Sequence, residues 1–243
     1  MFLENKPTAT ISFTDIVQLM GGGTPKTDED SFWNGNILFF TPKDISRSPF
    51  CISTEKHLTN EGLNNCSSRL YPPYTTFVTC RGTVGNLALA GVPMAMNQSC
   101  YALKGKNDFP ALFVFSFTRY VIATMKKKAS GAVFSALVTR DFEMEKVFEP
   151  NFEDAILFEK RVEPLFAQIL ANTNEIQQLL DLQNALLTQL SSRKIIIYLL
   201  FQIYSIGYRL VGFHYFSLLF NIRYWKFHHT KLIPIENLSY ASV

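Results

Sequence analysis

The sequence lacks the residue patterns of most catalytic and metal-binding sites. Its four cysteines are widely separated and form no C-x-x-C pair, and its four histidines have none of the spacings of a zinc site. Neither a G-x-S-x-G nor an H-E-x-x-H motif occurs. The chain is therefore predicted to be non-catalytic and to bind no metal and no cofactor. An enzyme that uses a cysteine together with His57 stays open as an alternative, because no motif locates such a site.

A secretion signal and a long uncharged stretch are also missing. The N-terminus lacks the charged-then-apolar layout of a signal peptide, and the scattered cysteines fit the free thiols of a reducing cytoplasm. Near the C-terminus, Lys194, Arg209 and Arg223 bound uncharged runs of 14 and 13 residues, short of the ~20 that a membrane span needs. We therefore expect a cytoplasmic protein without a membrane partner. A membrane-associated interaction protein anchored by the apolar tail is the alternative.

Positive charge is concentrated in one part of the chain. The formal net charge is only +3, but residues 42–128 hold 11 Lys and Arg against 4 Asp and Glu, a local excess of 11 − 4 = 7. Such an excess favours binding of an anionic polymer, although a solvated face explains it as well.

The first glycine-rich loop has some features of a phosphate-binding loop. Gly21–Gly23 are followed by Thr24 and Lys26, but the P-loop motif needs glycine where Met20 and Pro25 stand. We therefore expect a structural turn that places Thr24 and Lys26 on the surface.

A second candidate loop follows a short apolar run. The Asn34-Gly35 pair is a turn signal, and residues 37–40 are predicted to form a buried strand. The loop after this strand carries Lys43 and Arg47, which are suited to binding. Asp44 is expected to cap the turn rather than to act in catalysis.

Further candidates lie near Arg81, Asn97 and residues 111–128. Asn97 and Gln98 precede another predicted strand, where carboxamides either pair with adenine or satisfy a backbone turn. Residues 111–128 have a helical pattern that ends in three lysines, which either complement the helix dipole or meet phosphates. The candidate binding residues are Thr24, Lys26, Lys43, Arg47, Arg81, Asn97, Gln98, Lys126, Lys127 and Lys128.

Residues 151–193 are predicted to form one long amphipathic helix. Asn151 is a good N-cap, and apolar residues recur at seven-residue steps, which is typical of a helix that pairs with another helix. Pro164 leaves open a kink or a division into two helices, and a core-packing helix of one larger domain is a further alternative. The candidate pairing residues are Val162, Phe166, Ile169, Ile176, Leu179, Leu180, Leu186, Leu187 and Leu190.

The order of motifs resembles a known family, the specificity subunits of type I restriction-modification enzymes. Residues 158–169 and 179–194 resemble the spacer helix of that family. The motifs that resemble its target-recognition domain are GGGTPKT (21–27), FFTPKDI (39–45), CRGTVGNLALAG (80–91), MNQSCYAL (96–103) and ASGAVFSALVTRDFEMEKV (129–147).

The resemblance implies both a fold and a set of partners. Residues 1–150 would form an α+β (mixed α/β) target-recognition domain that reads half of a bipartite double-stranded DNA target, and residues 151–193 a coiled-coil-type spacer helix. Methyltransferase subunits would dock on the helix and hold S-adenosylmethionine, and a separate restriction and translocation subunit would cleave. Since no internal repeat occurs, the resemblance implies a half-size form that pairs through its helix with a second copy or another half-subunit.

The apolar tail, residues 194–243, lies outside this resemblance. Residues 195–243 contain 12 aromatics in 49 residues and show no lasting periodicity. We expect the tail to be a frame-shifted or rearranged end that packs poorly. A truncated, inactive gene product is therefore an alternative function for the chain.

Overall fold

The computed structural model describes residues 10–128 and 136–211, and the side chains of the last helix as far as residue 202 apart from 192–195. Ten strands and five helices lie in these residues. The strands are β1 (Thr10–Ser12), β2 (Val17–Gly21), β3 (Trp33–Phe40), β4 (Phe50–Cys51), β5 (Lys56–Leu58), β6 (Thr76–Thr79), β7 (Leu87–Ala90), β8 (Met94–Met96), β9 (Cys100–Gly105) and β10 (Lys146–Phe148). The helices are α1 (Phe13–Ile16), α2 (Asn60–Asn64), α3 (Ala111–Lys128), α4 (Thr139–Met144) and α5 (Phe152–Val211).

The strands form three sheets in the part of the chain that the structure describes. The largest has the order β2-β9-β6-β7-β4, the second has the order β5-β3-β8, and β1 pairs with β10. Most neighbours are antiparallel, but β4 pairs with β7 and β3 with β8 in parallel. The sheets are therefore mixed, as expected for an α+β domain.

The five-stranded sheet is the middle layer of the domain. On one face, Val78 of β6 packs in a cluster with Phe113 of α3. On the other face, its neighbour Phe77 packs with Phe40 and Met96 of the three-stranded sheet. Successive side chains of a strand point to opposite faces, so a strand buried on both sides is apolar throughout. The layers are therefore α3, the five-stranded sheet and the three-stranded sheet.

The α+β class and several of its elements are confirmed. The helix predicted at residues 111–128 is α3, and the strand predicted at residues 37–40 is the second half of β3. The turn predicted at Asn34-Gly35 is wrong, because Asn34 lies inside β3 with a φ of 60°. The pairing of β3 with β5 shifts register between Trp33 and Ile37. Asn34, with its left-handed backbone, therefore belongs to a β-bulge. Asn and Gly suit such a bulge for the same reason that they suit a turn, because both tolerate a positive φ.

The long helix has the predicted start. The side chain of Asn151 accepts a hydrogen bond from the backbone N–H of Asp154 at 3.1 Å, and α5 begins at the next residue, Phe152. This contact is the N-cap that the sequence predicted.

The end predicted for the helix at Arg193 is wrong. α5 runs through Pro164 without a break and continues to Val211. No proline occurs between Pro164 and Val211, so the sequence contains no strong breaker at the expected end. Within residues 10–128 and 136–211, no helix has the length and apolar character that crossing a membrane requires. Residues 212–243, the rest of the tail, lie outside the described residues.

The first turns of α5 form part of the globular core. Val162 and Phe166 pack against a cluster that contains Phe50 and Phe115, and the rings of Phe115 and Phe166 lie 5.8 Å apart. Both residues were predicted to pair with another helix, but the structure shows them in contact with the globular domain. A seven-residue repeat does not reveal its partner, because an intramolecular core needs the same helical stripe.

Candidate nucleic-acid interface

Two strand ends and one strand start lie together at one edge of the five-stranded sheet. Gly21 at the end of β2 pairs with Tyr101 near the start of β9. Thr79 at the end of β6 pairs with Cys100, the first residue of β9. The loops after β2 and β6 are therefore neighbours of the loop that leads into β9.

The three-stranded sheet ends at the same place. Asn97 donates its backbone N–H to the carbonyl of Phe40, the last residue of β3, at 3.0 Å. Gly23 donates its N–H to the carbonyl of Met96, the last residue of β8, at 3.1 Å. We call this region the loop edge. It comprises residues 22–27, 41–49, 80–86 and 97–99.

The loop edge brings together seven of the ten residues predicted to bind DNA. They come from four separate stretches of the chain, and the sequence alone does not show that these stretches meet. The seven residues are Thr24, Lys26, Lys43, Arg47, Arg81, Asn97 and Gln98.

A close backbone approach holds two of the loops together. A Cβ atom on Gly22 would lie 2.2 Å from the carbonyl oxygen of Asn97, so only glycine fits there. This approach brings Thr24 beside Gln98, and the Thr24 hydroxyl donates a hydrogen bond to Oε1 of Gln98. The first glycine-rich loop thus serves as a structural turn, as predicted.

The two adjacent carboxamides have different surroundings. The side-chain oxygen of Asn97 accepts the backbone N–H of Ser99 at 3.0 Å, so Asn97 stabilises the turn before β9. Gln98 is exposed, and within the described residues its Nε2 group makes no hydrogen bond. Of the two alternatives from the sequence, the backbone turn applies to Asn97 and base contact remains available to Gln98.

Asp44 caps the turn that presents Lys43. One carboxylate oxygen of Asp44 accepts the backbone N–H of Thr41 at 2.7 Å and its hydroxyl at 2.8 Å. The other oxygen accepts the backbone N–H of Glu55 at 2.9 Å. The predicted capping role of Asp44 is confirmed. Lys43, next to it, is exposed.

The three lysines at the end of α3 are not equivalent. Lys126 donates from Nζ to the carbonyl of Gly85 at 3.1 Å, which places this end of α3 beside the loop edge. Lys128 forms an ion pair with Glu145 at 2.6 Å. Lys127 is exposed and is the lysine best placed to meet an external anion.

Arg69 is a further cation at this edge that was not among the predicted binding residues. The hydroxyl of Tyr71 donates to the carbonyl of Gly21 at 2.9 Å, and the Arg69 side chain hydrogen-bonds to Tyr71. Burial raises the pKa of the Tyr71 hydroxyl, and Arg69 partly offsets that rise. The nearby Pro72-Pro73 pair marks a turn in the sequence, but only the fold shows that Arg69 lies at the loop edge.

Three of the four cysteines, Cys51, Cys80 and Cys100, are buried in the core, and Cys66 is half-buried. Burial raises the pKa of Cys51 and of Cys80 to about 12, and it also raises that of Cys100. At neutral pH these three thiols stay protonated and are poor nucleophiles. Among residues 10–128 and 136–211, no group of three or more His, Cys, Asp or Glu is placed to hold a metal ion.

The described domain and the start of its long helix fall within one known family of proteins. Residues 5–181 match the type I restriction modification DNA specificity domain, and the chain belongs to this family. The resemblance inferred from the order of motifs is thereby confirmed.

Several larger proteins are similar to this chain. The MjaIX specificity subunit of Methanocaldococcus jannaschii, from a type I restriction enzyme, is 28% identical over 127 residues, which are 51% of this chain and 29% of that subunit. The HindI specificity subunit of Haemophilus influenzae is 25% identical over 191 residues, 76% of this chain and 41% of that subunit. The chain thus spans less than half the length of these relatives.

A solved structure of a type I restriction-modification system shares the fold. Its chain aligns with a TM-score of 0.50 and 14% identity, covering 71% of this chain and 42% of the other. At this identity the similarity concerns the fold alone.

Proposed function

We propose that this chain is the DNA-reading specificity component of a type I restriction-modification complex and that the loop edge contacts double-stranded DNA. The observation that carries the proposal is the convergence of four loops whose exposed cations and amide come from distant parts of the sequence. Family membership supports the same role. The chain would read one half of a bipartite target and would itself catalyse nothing.

The side chains of the loop edge fall into two chemical groups. The exposed cations, which include Lys43, Arg47, Arg69 and Arg81, suit phosphate oxygens and would set the position of the domain on the duplex. Gln98 is an exposed amide and suits a base edge. Affinity is therefore expected to come mainly from the cations and sequence preference from the amide.

The later part of α5 would hold the partners. Its apolar side chains from Ile176 onward are exposed, with Leu179 at 58% and Leu186 at 50%. We propose that this stripe pairs with a second copy of the chain or another half-subunit, and that methyltransferase subunits dock on the helix. A restriction and translocation subunit would complete the complex in the cytoplasm.

The salt dependence of DNA binding tests the role of the loop edge. The full chain, together with the methyltransferase subunit of its host, is titrated with labelled duplex DNA at several salt concentrations. Each phosphate contact contributes about −0.9 to the slope of log K against log salt. The Lys43→Gln variant should therefore reduce the slope by about one unit.

A charge-matched control lies at the other end of the same sheet. Lys104 is exposed near the end of β9, opposite Gln18, whereas the loop edge lies at the start of β9. The Lys104→Gln variant should leave the slope unchanged. Binding that does not depend on salt, or equal effects of the two variants, would contradict the proposal.

A further inference from the structure

We propose that Gln98 reads a base as a hydrogen-bond donor, with Thr24 fixing the orientation of its amide. The inference rests on the proposed function and deepens it, because it names one specificity-determining side chain and the class of base that it recognises. The expected partner is a base with acceptors in the major groove, and guanine is favoured.

The contact between Thr24 and Gln98 decides which end of the amide faces outward. The Thr24 hydroxyl donates to Oε1 of Gln98. Within the described residues, the Nε2 group of Gln98 keeps both of its N–H donors without a partner. The side chain is exposed, so these donors are accessible to a ligand.

This orientation changes the base preference that glutamine would otherwise have. A free glutamine pairs bidentately with adenine, since its oxygen accepts from N6 and its nitrogen donates to N7. In Gln98 the oxygen already accepts from Thr24 and is turned toward it, so that pairing is disfavoured. Two N–H donors match adjacent acceptors, and guanine offers N7 and O6 side by side. Thymine offers O4 as a single acceptor.

The loop that carries Gln98 is held at both of its ends. Asn97 donates its N–H to the carbonyl of Phe40 at 3.0 Å, and its side chain accepts from Ser99 at 3.0 Å. Gly22 packs directly against the carbonyl of Asn97. Little conformational entropy remains to be lost when this loop meets a ligand, which suits a residue that sets specificity.

Selection of binding sites from random duplex DNA tests the inference. The full chain with its methyltransferase subunit is compared with the Gln98→Glu variant. Glutamate keeps an oxygen that accepts from Thr24, but it replaces the donor group by an acceptor. At one position of the selected motif, preference should move from guanine to cytosine, whose N4 group donates, by about tenfold.

The Thr24→Val variant removes the hydroxyl while keeping the side-chain shape. It should admit adenine at the same position by freeing the amide of Gln98, with an unchanged salt slope. The control is Lys43→Gln, which should lower affinity and leave the selected motif unchanged. Thermal unfolding of each variant checks that the domain remains folded.

The outcomes separate the two proposals. If Gln98→Glu, Gln98→Ala and Thr24→Val all select the motif of the parent chain, Gln98 reads no base and the inference is wrong. If these variants lower affinity equally for all sequences, Gln98 contacts phosphate instead, which also overturns it. If the parent chain selects no motif and binds no DNA, the proposed function itself fails.

Discussion

Replacement of Glu159 by alanine should weaken the attachment of α5 to the globular domain. The carboxylate of Glu159 accepts the backbone N–H of Leu112 at 3.2 Å and that of Phe113 at 2.9 Å. These N–H groups belong to the first turn of α3, where a helix has no internal acceptors for them. A side chain of α5 thus caps the helix that lies on the central sheet.

The magnitude follows from the two hydrogen bonds that the alanine side chain cannot form. Loss of an intramolecular hydrogen bond typically costs about 1 kcal/mol, and loss of a helix cap costs about 0.5–2 kcal/mol. Leu112 and Phe113 are both 1% exposed, so water replaces the carboxylate poorly. We expect the free energy of unfolding to fall by about 1–2 kcal/mol, which lowers Tm by about 3–6 °C in a domain of this size.

Urea or thermal unfolding of the full chain, followed by circular dichroism, measures this change. Glu163→Ala is the matched control, because Glu163 lies one turn later on α5, is exposed and involves the same change in helix propensity. That variant should stay within about 0.5 kcal/mol of the parent. Equal losses in the two variants would refute the idea that the contact with α3 stabilises the domain.

The same carboxylate predicts a pH dependence. Burial raises the pKa of Glu159, the two backbone N–H groups lower it, and the charge of Glu163 raises it further, with a net rise. At pH values between the pKa of Glu159 in the unfolded chain and its higher pKa in the folded chain, the folded chain therefore holds the Glu159 proton more readily than the unfolded chain does. The stability from this group is complete below the unfolded pKa and is lost as pH rises through the folded pKa. The cost of Glu159→Gln should accordingly be larger at acidic than at neutral pH.

Two further predictions use paired variants. Gly22→Ala should distort the loop edge and reduce DNA affinity, since its Cβ would lie 2.2 Å from the carbonyl of Asn97, whereas Gly21→Ala, with no atom within 4 Å, should bind normally. Normal binding by Gly22→Ala in the titration would count against the role of this contact. Phe166→Ala should lower the free energy of unfolding by about 2–3 kcal/mol, because its ring packs against the core. Leu186→Asp should leave the free energy of unfolding unchanged and abolish self-association, measured by sedimentation. If instead Leu186→Asp unfolds the domain and Phe166→Ala only prevents self-association, the early part of α5 does not stabilise the domain and the later part does not pair.

Local patterns were sufficient for the elements that carry the loop edge. The amphipathic run with terminal lysines predicted α3 to the residue, and the apolar run before Thr41 predicted the end of β3. In each of these segments the residue propensities, the apolar pattern and the end signals all indicate the same structure. The proximity of Thr24 and Gln98 was not predictable, because it depends on two sheets that end at the same place.

The continuity of α5 through Pro164 shows why a single breaker signal is hard to weigh. An interior proline costs about 3 kcal/mol in a helix. Phe158 packs against the core on one side of Pro164, and Phe166 and Leu170 pack on the other. Contacts on both sides hold the helical direction and offset that cost. The sequence shows the proline but not these contacts.

The stripe along α5 has two roles that depend on position. Contact with the globular domain continues as far as Thr173, whose hydroxyl lies 2.8 Å from that of Ser48. From Ile176 onward, the apolar side chains of the stripe are exposed in the described part of the helix. We therefore expect pairing with another helix to use mainly residues beyond Thr173, because Val162 and Phe166 are already packed, whereas Ile169 is still 37% exposed. Val162 and Phe166 stabilise the domain, and Leu179, Leu186 and their neighbours remain for a partner.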